Sequence, residues 1–413
     1  LKRNWLSFIV VTIAGEAIFF LPFVLPRLFR PYMIDVWSIS NTDIGLAFSA
    51  YGVSAMASYL LGGPLADNFS PRKLIAMSLL LTATASVPML VWPSAPLLIA
   101  TYFVYGITTI FLMWGALLKL THDFGHQNLR STAMGLLDAG RGLFAAIAGS
   151  TMVLIISFWF GDSSFVSHQA QVLISAYVGV IALILIVAIA VWATLRDFDS
   201  DLSGAKLWSF PEALLLLKRT DIWLLGAVVM TAYCGYKSID YYVGYLVDVQ
   251  EVSALEASRL MSHIFWMRPI GALFAGLGAD RLHRKLKRGR FIVLVSLFGC
   301  AAVGNLGLCN LVPSSFVVLI LTLLLTAGFT YALRALYFSV FGEMRIPGFL
   351  VGTTVGIVSL VGFLPDFFFG ALTGFLLDQY PGALGYRFVF GLTSVLLFLG
   401  AACTLWLGRR SQF

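Results

Sequence analysis

The sequence predicts an all-α integral membrane protein, with twelve transmembrane helices arranged as two pseudo-symmetric six-helix bundles. Three observations carry this expectation. First, 59% of the 413 residues are hydrophobic, 11% are charged and the mean hydropathy is +0.90, so there is too little polar surface to cover a soluble globule of this length. Second, the chain divides into twelve apolar stretches, each near the ~20 residues that a spanning helix needs. Third, two charged hairpins repeat, Gly63-Pro64-Leu65-Ala66-Asp67-Asn68-Phe69-Ser70-Pro71-Arg72-Lys73 and Gly276-Leu277-Gly278-Ala279-Asp280-Arg281-Leu282-His283-Arg284-Lys285, beginning 213 positions apart. Each hairpin follows one apolar stretch and precedes another, as expected of a duplicated membrane protein. Such a chain moves something across a bilayer.

Taken in order, the first six spans read as 5–27, 44–66, 73–92, 96–119, 131–158 and 171–195. The first is a retained helix, because its apolar run is too long for a signal-peptide core and lacks a small-residue cleavage pattern. Between the halves, 196–220 (RDFDSDLSGAKLWSFPEALLLLKRT) is the one sizeable polar interruption, so 1–195 and 221–413 are two bundles joined by a cytoplasmic linker. The linker's Phe210-Pro211-Glu212-Ala213 start before a leucine run suggests a short amphipathic helix along the membrane surface. The second half reads 221–246, 257–279, 290–310, 314–341, 350–377 and 386–408. The repeat extends beyond the hairpins: Trp114 to Gly149 lies over Arg334 to Gly370 with one residue of slippage, matching Gly135 to Gly356 and Gly149 to Gly370. Many of the 38 glycines fall in spans five, eight and eleven, where they let helices approach closely.

The formal charge of +7 is a matter of topology, not a nucleic-acid footprint. With both termini cytoplasmic, Lys2, Arg3, Arg72, Lys73, Lys119, Arg130, Arg196, Lys206, Lys218, Arg219, Arg281, Arg284, Lys285, Lys287, Arg288, Arg290, Arg345, Arg409 and Arg410 fall inside. Only Arg27, Arg30, Arg259 and Arg387 fall near the outer side, which satisfies the positive-inside rule for a multi-pass protein of the inner membrane. Cys234, Cys300, Cys309 and Cys403 show no CxxC spacing, and His122, His126, His168, His263 and His283 are scattered, so neither a disulfide framework nor a metal site is indicated. No nucleotide-binding G-x-x-x-x-G-K-[ST] loop occurs, so transport would run on gradients, without a cofactor.

The hairpin resembles the signature loop of the major facilitator superfamily, G-x-L-A-D-R-x-G-R-R/K, found between helices two and three and often again between eight and nine. The first copy keeps Gly63, Leu65, Ala66, Asp67 and Arg72, with Asn68, Ser70 and Pro71 where Arg, Gly and Arg are usual. The second keeps Gly276, Ala279, Asp280, Arg281, Arg284 and Lys285, with Gly278 and His283 as departures. A second resemblance, in Leu137-Asp138-Ala139-Gly140-Arg141-Gly142, Trp114-Gly115-Ala116-Leu117-Leu118-Lys119 and Leu384-Gly385-Tyr386-Arg387-Phe388-Val389-Phe390-Gly391, is to a little-characterised bacterial branch of that superfamily. The resemblance implies a monomer whose two bundles rock about a central cavity. It makes Asp67, Arg72, Asp280, Arg281 and Arg284 the gating candidates: in the family the loop carboxylate meets a neighbouring helix N-terminus and the bases meet acids on the other bundle. A carboxylate at a helix N-terminus gains about 0.3–1 kcal/mol, enough to bias a near-balanced equilibrium.

Ionisable groups inside a span are costly unless they face protein or a wet cavity. Eight fall near the midplane: the acids Glu16, Asp138, Asp240 and Asp366, and the bases Arg141, Lys237, Arg268 and Arg334. Asp138 with Arg141 and Lys237 with Asp240 are spaced i, i+3 and can neutralise one another. Arg268 and Arg334 have no acid within a turn, so another helix, a substrate or water must supply their counter-charge; the planar fork of arginine suits a carboxylate or phosphate. Arg334, Arg268, Lys237 and Arg141 are therefore candidates to hold a substrate. Glu16, about eleven residues into helix one and on one face with Phe20, Phe23 and Arg27, can exchange a proton as the cavity opens, as can Asp366 after Pro365. Asp138 and Asp240 could serve if their pairings break. Helix seven adds Tyr233 and Tyr241, expected to face the cavity, and Tyr242 and Tyr245, expected in the interfacial belt.

These residues favour a secondary transporter of a small polar metabolite, preferably an organic anion, coupled to protons, to another ion or to exchange, with the lipid bilayer as its setting. The alternative is a proton-driven exporter of amphipathic or cationic compounds, for which the many aromatics and Glu16 argue. A polytopic membrane enzyme is a remote third: His122-Asp123 is the only adjacent His and acid pair, without a nucleophile beside it.

Overall fold

The computed structural model describes residues 5–124, 126–161, 166–195, 218–286, 288–310, 315–338 and 351–410. The expected amphipathic linker at 196–217 lies outside them, as does the side chain of Asp67. The described residues form twelve helical segments and no strand: α1 Trp5–Trp37, α2 Asn41–Asn68, α3 Pro71–Val91, α4 95–124, α5 His126–Phe160, α6 Val166–Thr194, α7 Thr220–Asp248, α8 Ala254–Lys285, α9 Gly289–Asn310, α10 Phe316–Leu336, α11 351–379 and α12 Ala383–Arg410. Eleven candidate spans are long and apolar enough to cross a membrane; α2, with 28 residues, completes the expected set.

Local chemistry sets the starts and breaks. Ser40 begins α2 with a capping box, its hydroxyl accepting from the Asp43 amide (3.0 Å) while the Asp43 carboxylate accepts from the Ser40 amide (2.8 Å). Within α1, Phe20–Val24 widens into a π-helical turn. Pro26 cannot donate the usual i+4 hydrogen bond, and the carbonyl of Pro22 accepts the Tyr102 hydroxyl at 2.9 Å. Thus α1 continues through Pro26 and Pro31 to Trp37 instead of ending near residue 27, which moves Arg27 and Arg30 from an expected helix mouth into the protein interior. α7 tightens to a 3₁₀ turn at Ile239–Tyr241. α11 is broken between Gly362 and Pro365, so Asp366 sits in the first turn of its second half, where the helix dipole favours a carboxylate.

The two halves close on each other at the end opposite the termini. There Asp378 of α11 accepts hydrogen bonds from the amides of Asn41 (3.1 Å) and Thr42 (2.7 Å) and from both their side chains, capping α2 from the other half. Beside it α2 and α11 touch backbone to backbone: a Cβ on Gly45 would collide with the carbonyl of Gly370, and one on Gly374 with that of Asn41. Hydrophobic packing follows the same pattern. One core joins the first half to the far end of the second, whereas Ile222, Leu294, Ala279 and Leu407 belong to a separate core of the second half at the terminal end. Replacing Asp378 with alanine removes a cap worth about 1 kcal/mol. A membrane-impermeant maleimide is expected to label Thr373→Cys faster in that background; an unchanged rate would show that the cap does not hold this end shut.

Candidate functional site

Between the halves lies a cavity of about 100 Å³, lined from both: Glu16, Phe19, Phe23, Arg27, Tyr51, Tyr59, Trp114 and Arg141 from the first, and Tyr233, Tyr236, Phe265, Arg268, Tyr331, Arg334, Phe363 and Asp366 among those from the second. Trp114 and Arg334, matched by the internal repeat, both face it.

Buried charges persist when each finds a well-oriented partner. Glu16 is held by two arginines, Arg268 of the other half through Nη1 to Oε1 (2.6 Å) and Nη2 to Oε2 (3.4 Å), and Arg141 at 3.1 Å. Arg141 Nε also donates to the carbonyl of Gly15 at 3.0 Å. Asp138, half-exposed at the edge of the group, stands 3.8 Å from both Arg141 and Arg268. A second ion pair crosses the halves between Arg27 and Asp240, Nε to Oδ1 at 2.5 Å, and Arg27 Nη1 donates to the Tyr236 hydroxyl at 3.2 Å. The third lies within the second half: Lys237 Nζ is 2.8 Å from Asp366 Oδ1, whose carboxylate also accepts from Tyr233 at 3.0 Å.

The expected i, i+3 pair of Lys237 with Asp240 therefore does not form. Each charge pairs with another helix instead, Lys237 with Asp366 of α11 and Asp240 with Arg27 of α1, because those partners are themselves buried charges that need compensation. Lys237 does not line the cavity itself; it stands behind the lining residues Asp366 and Phe23, its ammonium 4.5 Å from the ring centre of Phe23. Tyr241 does not line the cavity; it shares a hydrogen bond with Thr373 and carries the Arg30 guanidinium over its ring at 4.8 Å. Tyr242 and Tyr245 are buried against Phe390 rather than set in an interfacial belt.

Arg334 differs from the other cations. Its guanidinium lies 4.2 Å over the ring of Tyr236, a cation–π contact, yet its Nη1 is buried without a hydrogen-bond partner. Leaving a buried donor unmade costs about 1–3 kcal/mol, more for a charged group. Among the described residues of this cluster, Arg27, Arg141, Lys237, Arg268 and Arg334 face Glu16, Asp138, Asp240 and Asp366, so one positive charge is left over. No ion pair to Arg334 accompanies the others.

A model of the Major Facilitator Superfamily matches residues 6–370. The chain belongs to that superfamily. It is similar to the inner membrane protein YqcE of Escherichia coli strain K12, at 28% identity over 398 residues (93% of this chain, 90% of that one). It is also similar to the hexuronate transporter of Bacillus subtilis strain 168, at 24% identity over 369 residues (84% and 82%). Among solved structures, the fold matches a bacterial homolog of the human lysosomal transporter Spinster in an inward-facing, unoccupied conformation (TM-score 0.74, 16% identity, 98% and 97% covered). It also matches the nucleoside transporter NupG (0.71, 16%, 98% and 98%). This member of the superfamily is thus a multi-pass membrane transporter of a small solute, not an enzyme.

In this superfamily member the hairpin residues lie at the terminal end, away from the cavity. Arg72 donates to the Trp192 carbonyl at 2.9 Å and lies 4.0 Å over its ring, within the first half. Asp280 stands 3.5 Å from Arg290 at the start of α9, Arg284 donates to the Asp280 carbonyl at 3.4 Å, and Arg281 is exposed. These contacts stay within one half each, consistent with the separate cores at this end.

Arg27, Tyr236 and Tyr331 line the cavity without having been singled out from the sequence. Arg27 looked like a boundary charge because the proline-containing continuation of α1 was read as its end. Tyr331 could have been found, since it lies one turn before Arg334 on the same helix face.

Proposed function

We propose that this transporter carries a small organic anion, received on Arg334, by alternating access coupled to protons. The observation that supports this reading is the buried, unpartnered Nη1 of Arg334 beside the cavity, the cation of this cluster that pairs with no carboxylate among the described residues. Charge-assisted hydrogen bonds to a carboxylate would satisfy it. The resemblance to a hexuronate transporter agrees, since hexuronates carry a carboxylate. Glu16 is the proton carrier of this reading: protonation releases Arg268 and Arg141, adding positive charge to the cavity as the anion enters, so proton and solute favour each other's binding. With both termini cytoplasmic, the end closed by Asp378 faces outward and the chain stands in an inward-facing state. The bundles then exchange that closure for one at the hairpins, where Asp67, Arg72, Asp280, Arg281 and Arg284 would act.

The test is a melting-temperature screen of the purified chain against carboxylates, neutral sugars and bulky cations at two pH values, because ligands of the folded state raise its stability by mass action. Stabilisation by carboxylates, stronger at acid pH and absent in Arg334→Ala, is expected. Stabilisation by bulky cations alone would move the chain to the exporter class.

A further inference from the structure

Among the described residues, two buried donors with neither a hydrogen bond nor an ion pair border the cavity; Arg27 Nη2, the third without a hydrogen bond, is paired with Asp240. Tyr331 is 2% exposed and its hydroxyl has no hydrogen-bond partner; Arg334 Nη1, one turn further along α10, has none either. Three other cavity tyrosines are committed, Tyr51 sharing a hydrogen bond with Thr109 (3.0 Å), Tyr233 donating to Asp366 and Tyr236 accepting from Arg27, while Tyr59, less deeply buried, stacks on Phe363. One ring positions both free groups, since Tyr236 carries the Arg334 guanidinium on its face and meets the Tyr331 ring at 6.0 Å and 63°. Both residues also border the small side pocket next to Asp138 and Arg268, so they form a wall between α5, α8 and α10.

We propose that Tyr331 is a specificity-determining residue that reads a hydroxyl group on the transported anion, so that the substrate class is a hydroxylated carboxylate. This rests on the reading of Arg334 as the carboxylate site. Side chains one helical turn apart have Cβ atoms about 5–6 Å from each other, which places the hydroxyl only a few bonds from the carboxylate. A phenol hydroxyl both donates and accepts, so it suits an alcohol, whereas the guanidinium, a donor only, suits the anion. A carboxylate lacking hydroxyls would satisfy Arg334 and leave the Tyr331 oxygen unpaired. A neutral sugar would do the reverse.

The experiment is isothermal titration calorimetry of the full chain in detergent with two six-carbon probes, D-glucuronate and hexanoate, for the unaltered protein, Tyr331→Phe and Arg334→Ala. Phenylalanine keeps the ring against Tyr236 and removes only the hydroxyl. Tyr331→Phe is expected to weaken D-glucuronate about ten-fold, the worth of one hydrogen bond, and to leave hexanoate within about two-fold. Equal weakening of both probes, or of neither, would overturn the role of Tyr331 while leaving the carboxylate site standing, provided Arg334→Ala abolishes binding. Undiminished binding of both probes in Arg334→Ala, or no binding of either probe to the unaltered chain, would overturn the carboxylate site and with it this inference.

Discussion

Replacing Glu16 with alanine is expected to destabilise the folded chain by about 3–5 kcal/mol, the cost of leaving buried charge uncompensated. Glu16 is the only carboxylate within hydrogen-bonding distance of both Arg141 and Arg268 among the described contacts, and Asp138 stands 3.8 Å from each. Without it the two guanidiniums, both largely buried, face each other with Asp138 3.8 Å from each as the nearest carboxylate. Because Arg268 comes from the other half, the loss also removes a strut across the cavity. The double variant Glu16→Ala/Arg268→Met should recover much of the stability, since it removes a charge along with its partner. Melting of the single and double variants in one detergent measures this coupling. A change below about 1 kcal/mol for Glu16→Ala, typical of an exposed pair, would mean that water already solvates the cluster.

Arg334→Ala should show the opposite balance, with transport of the anionic solute falling at least about 100-fold while the melting temperature holds or rises. Two or more charge-assisted hydrogen bonds of about 1.5–3 kcal/mol each are lost with the guanidinium. The folded state loses less, because Nη1 has no partner there and what is given up is the contact to Tyr236 and the hydrogen bond to Tyr337. Lysine at 334 should recover only part of the flux, since its point charge cannot offer the planar fork. Uptake and melting measured on the same preparations separate the two effects. A fall in melting temperature matching that of Glu16→Ala would make Arg334 a structural cation instead.

The architecture was legible in the sequence because it follows from crude quantities: hydropathy, span length and a repeated hairpin. The cavity was legible in part. Intramembrane charge is rare enough to single out Glu16, Arg141, Arg268, Arg334 and Asp366, all of which line the cavity. Pairing was less legible, because it depends on contacts between distant helices. Asp240 pairs with Arg27 and Lys237 with Asp366, partners 213 and 129 positions away that no local spacing reveals. Likewise the π turn at Phe20–Val24 and a kink at Phe29 let α1 run on through Pro26 and Pro31, which sequence rules treat as stops. The closing contact of Asp378 with the start of α2 joins residues 337 apart in the chain, and nothing local in either segment announces it.

The central claim, that this superfamily member transports a small anion held on Arg334, is tested most directly by counterflow in proteoliposomes loaded with unlabelled D-glucuronate. Saturable entry of labelled D-glucuronate, accelerated by solute on the opposite side and lost in Arg334→Ala, is the expected result. Equal counterflow in Arg334→Ala, or entry of a bulky organic cation in its place, would contradict it.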